Sequence, residues 1–222
     1  MVGDTVYKIR GTKVTSPYPV KLTPAETRLI FTLQKIFPPE QIFADCYFPK
    51  PDSKPQANRI RERVVSDAEL LQIDCLTVDE RGIFVFESKG HLGWIYGHGD
   101  RVHWTQVSAY GQNKHQFYNP VRQNAAHVEA AASIFGSLVP VYNIIVFGGD
   151  VVLKVLEDIP PDCHVCTQGQ LRSVLNSIKS PRALFSTQQV TDICAKLSAS
   201  RVNPTATIRE THVSEAESAK KL

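Results

Sequence analysis

The strongest apolar patterning along the chain lies in residues 71–78 and 83–88, two runs rich in β-branched and aromatic side chains. Asp79-Glu-Arg-Gly82 separates them, so the stretch predicts a β-hairpin closed by a polar, glycine-ending turn. Upstream, Thr23-Pro-Ala-Glu26 joins an N1 proline to a capping-box pattern. Leu29, Ile30, Leu33, Ile36 and Phe37 then recur at helical spacing until Pro38-Pro39 ends the helix. A strand is expected at 42–48. Residues 50–67 are polar, basic and contain prolines, which predicts a loop.

Past the hairpin, Gly and His punctuate residues 90–100, predicting a strand near Trp94, a turn and a further strand around 102–105. Asn119 and Pro120 suit the N-cap and first position of a second helix. Residues 139–147 are almost continuously apolar, the pattern of a strand buried on both faces with helices on both sides of the sheet. Short strands at 151–156 and 164–167 and helices near 168–178 and 186–199 complete an α/β reading. The domain is expected to span 23–200, between an irregular arm at 1–22 and a polar, unpatterned and hence disordered tail at 201–222.

The register of the hairpin carries the chemistry. If Val78 faces Ile83, Asp74 faces Glu87, with Cβ atoms roughly 5 Å apart on one face. Lys89, two residues on, points the same way. Carboxylates side by side in an apolar hairpin repel and lose solvation, a cost that a bound cation relieves. Asp, Glu and a neighbouring Lys are what a magnesium-dependent phosphodiesterase requires: two oxygen ligands for a hard cation and an ammonium near the scissile phosphate. The competing reading is a solvated charge stripe on an edge strand.

Composition narrows the field. A formal charge of +3 is compatible with nucleic-acid binding through a local patch. No apolar run approaches the ~20 residues of a membrane span, and residues 1–5 lack a signal-peptide pattern. Five cysteines, an odd number, predict reduced thiols and a cytoplasmic location. Cys163-His-Val-Cys166 has the spacing of half a zinc site, but no second pair follows, so buried thiols are expected. His91, His98 and His103 read as solvated loop residues. Trp94, Tyr96 and Trp104 read as packing aromatics rather than base-stacking ones.

Taken in order, the pieces resemble a known family. A helical Glu precedes Ile-Asp in a strand, then Gly-Ile-Phe-Val-Phe-Glu-Ser-Lys-Gly, Gly-Trp-Ile-Tyr-Gly, a Trp-containing strand and Asn-Pro-Val-Arg-Gln-Asn-Ala-Ala-His. From about 23 to about 147 this resembles the NERD (nuclease-related) domain, a branch of the PD-(D/E)XK nuclease superfamily. The resemblance implies a restriction-endonuclease-like core, a mixed central β-sheet flanked by helices. It also implies a metal-dependent nuclease, acting on DNA with RNA as a second candidate. Asp74, Glu87 and the backbone carbonyl of Ser88 would then hold Mg²⁺ or Mn²⁺, and Lys89 would stabilise the transition state. Glu26 matches the first-helix glutamate of the family, although its capping-box position explains it equally well. Gln123 matches the later glutamine.

Ser88 replaces the usual branched aliphatic residue and Cys75 the usual His; neither change is expected to disturb the site. His127 shares a helix face with Gln123 and could touch the nucleic-acid backbone or assist proton transfer, but an ordinary helix-face histidine is the favoured reading. Arg59, Arg61 and Arg63, with Lys54, could grip phosphates or form a solvated loop. The rival function is a nucleic-acid-binding or scaffolding module without meaningful cleavage. With no recognition domain evident in the sequence, targeting is expected to come from a protein partner or from substrate shape.

Overall fold

The computed structural model of the protein describes residues 5–9, 12–16, 22–50, 70–108, 111–181 and 184–201. Its hairpin forms in the predicted register: β4 (Leu70–Asp79) and β5 (Gly82–Lys89) are antiparallel, with Val78 opposite Ile83 and Cys75 opposite Phe86. Gly82 closes the turn at φ +137°, where a Cβ would collide with the Pro140 carbonyl oxygen, so glycine is required twice over. The Asp79 carboxylate accepts from the Arg81 backbone and guanidinium, and Arg81 reaches on to the Leu175 and Ile178 carbonyls at the end of a later helix.

This hairpin is the middle of a five-stranded mixed sheet in the order β11 (Cys163–Thr167), β9 (Val141–Phe147), β5, β4, β3 (Ile42–Pro49). β3, β4 and β5 are antiparallel neighbours, whereas β9 and β11 add in parallel. Both faces are covered, as the apolar run at β9 requires. On one side α1 (Pro24–Leu33) and α3 (Leu171–Ser177) bury Leu29, Ile30, Leu33, Leu171 and Leu175 against Phe84, Phe86, Ile144 and Val146. On the other, α2 (Pro120–Phe135) and α4 (Thr187–Ser200) bury Ala131, Phe135, Val190, Ile193 and Leu197 against Leu76, Val78, Ile83 and Val85.

A second sheet of four strands follows the order β10 (Val151–Glu157), β6 (Gly93–His98), β7 (His103–Ser108), β8 (Asn113–Tyr118). Its inner face packs Ile95 and Trp104 against Val121 of α2 and Ile145 and Phe147 of β9. Gly97 lets the Trp104 ring lie against the β6 backbone; any side chain there would overlap the indole.

Asn119 joins this sheet to α2. Its Oδ1 caps Val121 N–H at 2.9 Å, while Nδ2 donates to the carbonyls of His98, Gly99 and Arg101, and the residue is fully buried. Asn119→Ala removes the cap and strands those carbonyls, so unfolding free energy is expected to fall by about 2–4 kcal/mol. Urea titration would measure this; a loss under about 0.5 kcal/mol would mean the junction is held by apolar packing instead.

One expectation changes, and two strands take places that no pattern in the sequence announces. A hairpin, β1 (Thr5–Ile9) with β2 (Thr12–Ser16), stands where an irregular arm was expected over 1–22. β8 goes unmarked by any apolar pattern, because its residues are mostly polar and four of the six are exposed. β10 joins the second sheet, parallel to β6. The basic loop and the residues beyond 201 lie outside the described residues.

Candidate active site

Alternation along β5 sends Ile83 and Val85 toward α2, and Glu87 follows them. Glu87 is only 2% exposed. Its Oε1 lies 2.8 Å from Lys89 Nζ, and that ammonium donates to Gln123 Oε1, also at 2.8 Å, in the first turn of α2. Burial alone would lower the Lys89 pKa, but the charge and hydrogen bond of Glu87, with Asp74 and Glu26 behind it, raise it instead. Lys89 is therefore held as a cation.

The other oxygen, Glu87 Oε2, has no hydrogen-bond partner although it is buried. His127 Nδ1 is 3.4 Å away, without hydrogen-bond geometry, and 3.2 Å from Asn124 Oδ1. Burial lowers the His127 pKa against the pull of Glu87, so the ring is neutral at pH 7 and offers no counter-charge. Asn124 in turn is fully buried and donates to Val85 O and Asn143 Oδ1, which fixes α2 over β5 and β9.

The β4–β5 ladder ends at Cys75 and Phe86; just beyond it, Asp74 Oδ2 accepts from Ser88 N–H at 2.9 Å. Burial holds the Asp74 carboxyl well above its ordinary range. Glu87 and Glu26 push it further, and the Ser88 amide and Lys89 only partly offset them. Glu26 closes the capping box, with Oε2 accepting from Thr23 N–H at 2.9 Å and Thr23 Oγ1 accepting from Glu26 N–H at 3.3 Å. Burial nevertheless raises its pKa, with Asp45 and Glu87 adding to the effect. The two readings of Glu26 thus coexist, since one oxygen caps the helix while the charge is felt at the site.

Asp45 carries no mark in the sequence motifs. In β3, Ile42 and Ala44 pack toward α1, whereas Cys46 and Phe48 pack toward the opposite helices. In β4, Cys75 and Ile73 switch faces in the same way. The ladder pairs Ala44 with Cys75 and Cys46 with Ile73, so the change of face falls on Asp45 and Asp74 together. Asp45 adopts φ +47° and accepts from Gln72 Nε2 at 2.8 Å. The one signal for it is a lone acidic residue inside an otherwise apolar strand.

Glu26, Asp74, Glu87, Lys89 and Gln123 are therefore brought together, with His127 of the same helix face as Gln123 beside them as a buried neutral ring. Arg59, Arg61, Arg63 and Lys54 lie outside the described residues. Cys163 and Cys166 are buried thiols pushed up to about 12 by that burial, which suits inert side chains more than zinc thiolates. His91 is not solvated: burial takes it down to about 4, and its ring packs at a tilt against Phe117 and meets Gln106 Oε1 at 2.8 Å. A separate group, His98, Asp100 and Asp158, has ligand-type atoms within 4.8 Å of one another. It is a surface cluster whose 2.8 Å His98–Asp158 pair accounts for it.

A mixed sheet flanked by helices, with this cluster of residues around β5, is the α/β fold of a restriction-endonuclease-like nuclease domain. The chain belongs to the nuclease-related domain family, NERD, whose model matches residues 22–148. It is also similar to an uncharacterized protein of Bacillus anthracis, 31% identical over 106 residues, covering 48% of this chain and 49% of that protein. The chain thus spans about half the length of that curated relative. No solved structure matches it. No helix among the described residues is long and apolar enough to cross a membrane.

Proposed function

We propose that this protein is a divalent-metal-dependent nuclease that hydrolyses phosphodiester bonds of DNA. The observation that carries the reading is the buried, partnerless Oε2 of Glu87, beside two carboxyls whose pKa values burial and mutual repulsion raise. Such a set is costly when ionised and gains most from a cation. One oxygen of each carboxylate already has a protein donor, namely Lys89, Ser88 N–H or Thr23 N–H. That leaves the second oxygens for a hard metal. Asp74, Glu87 and the Ser88 carbonyl would hold Mg²⁺ or Mn²⁺, with Glu26 supporting them. A cation there would supply Lewis acidity toward a phosphoryl oxygen and a more acidic bound water.

The chain's own groups do the rest. Lys89 Nζ stays protonated and donates toward the oxygen on which negative charge develops. Gln123 keeps that ammonium from swinging away. His127 and Asn124 wall the site with groups that add no charge. The buried thiols fit a cytoplasmic location, and a targeting partner would supply what the site itself does not select.

Supercoiled plasmid tests the reading. Nicking is expected with Mg²⁺ or Mn²⁺, not with EDTA, and only weakly with Ca²⁺, whose looser geometry positions water poorly. Glu87→Gln serves as the background control. Absence of cleavage with every divalent ion would favour a binding or scaffolding module, and equal nicking by Glu87→Gln would point to a contaminant.

A further inference from the structure

The outer face of the second sheet takes no part in the nuclease site. Register places Val152, Trp94, Val107 and Lys114 in one row across the four strands, and Val155, Tyr96, Thr105 and Gln116 in the next. These side chains point away from the buried Ile95 and Trp104. Trp94, Val152, Val155 and Tyr118 are 38%, 47%, 42% and 50% exposed. An open depression of about 590 Å³ lies over Trp94, Tyr96, Thr105, Val107, Lys114 and Gln116. Lys154 Nζ sits 4.7 Å from the centre of the Trp94 ring. Neither central row contains a carboxylate; Glu157, opposite His98, is at the end of the sheet.

We propose that this face is a platform on which unpaired nucleobases of a single-stranded segment stack. The inference rests on the nuclease reading for its substrate class. Aromatic rings beside cations are the arrangement that binds single strands, because every base has a π-face and the lysines follow the phosphates. Trp94 and Tyr96, two residues apart on one strand, are about 6.6 Å apart along it. That is about twice the 3.4 Å rise of stacked bases in a duplex, a spacing that suits splayed bases. Trp94 lies five positions beyond Lys89, a backbone span of no more than about 18 Å, which is within the reach of a strand of several nucleotides.

The test is binding of a labelled oligothymidylate to the full chain in EDTA, beside a duplex of equal length. The protein has two tryptophans and Trp104 is 1% exposed, so quenching of tryptophan emission reports on Trp94. Oligothymidylate is expected to quench the wild type and to bind more tightly than duplex. Trp94→Ala should weaken single-strand binding by roughly ten- to a hundredfold, and Trp94→Phe, which keeps a ring, by much less. Lys154→Ala should reduce the salt slope of binding by about 0.7. Wild-type affinity in a folded Trp94→Ala, or no quenching in the wild type, would overturn the proposal. A dimer that Trp94→Ala dissociates, with no oligonucleotide bound, would reassign the face to a second copy of the chain. Reading binding without metal separates the two ideas. Ring-dependent binding without any cleavage would sink the nuclease reading alone, and metal-dependent nicking without ring-dependent binding would sink the platform alone.

Discussion

Lys89→Ala is expected to lower the rate of phosphodiester cleavage by about 10²- to 10³-fold while leaving metal affinity equal or slightly higher. The two effects separate because the proposed mechanism gives Lys89 two jobs. In the metal-free protein its ammonium neutralises Glu87 at 2.8 Å and is steadied by Gln123 at the same distance. Removing it frees Glu87 Oε1 and relieves the repulsion a divalent ion would feel. In the transition state of that mechanism the same ammonium would meet charge absent from the ground state, so its loss would appear in turnover.

There is also a folding consequence. Removing one partner of a fully buried ion pair costs about 3–5 kcal/mol. The Lys89 side chain keeps 19% of its surface exposed, so water softens the loss toward the lower end or below. Added Mg²⁺ should recover most of it. Calorimetric metal titration, thermal melts and single-turnover kinetics on one preparation would read all three effects. Wild-type turnover by Lys89→Ala would refute the assigned mechanism whatever the metal does.

Asp74→Asn is expected to abolish both metal binding and cleavage, because a neutral amide cannot replace an anionic ligand of a hard cation. Yet it should stabilise the metal-free protein near neutral pH. Burial and the nearby Glu87 and Glu26 raise the folded-state pKa of Asp74 well above its ordinary value, and burial raises Glu26 as well. A carboxyl raised on folding binds its proton more tightly in the folded state. Its contribution is therefore most favourable below about pH 4 and declines as pH climbs through the ordinary carboxylate range toward the raised value. Wild-type protein in EDTA should accordingly lose stability from mildly acid to neutral pH, and Asp74→Asn should flatten that slope.

With Mg²⁺ at ten times its dissociation constant, the wild type should gain about 1.4 kcal/mol, or roughly 3–6 °C in melting temperature. Asp74→Asn should gain nothing. The metal shift should also shrink in acid, where protons compete for the same oxygens. A melting temperature of the variant that rises with Mg²⁺ as in the wild type would remove Asp74 from the ligand set.

Much of this site is legible in the order of residues alone, and the reason is locality. Val78 facing Ile83 follows from the length of one turn, and the parity of Glu87 and Lys89 follows from the pleat of a single strand. The Thr23–Glu26 box and the Asn119 cap depend on residues only two or three apart. What escapes such reading depends on distant segments. Asp45 meets the other carboxylates because two strands change face at one level of their ladder, and no periodicity within either strand announces that.

The same division holds for the molecule as a whole. The hairpin and its register, the helix starts, a sheet buried on both faces, and two acidic residues placed beside a lysine can be read from the order of residues. All of these follow from side-chain period and short-range hydrogen bonding. Tertiary packing places β10 beside β6 and completes the second sheet with a polar β8. It alone buried Trp104 while leaving Trp94 exposed, buried His127 against Glu87, and left one oxygen of that glutamate without a donor. Those outcomes turn on which surfaces meet and which groups lose water, a property of packing between segments far apart in the chain.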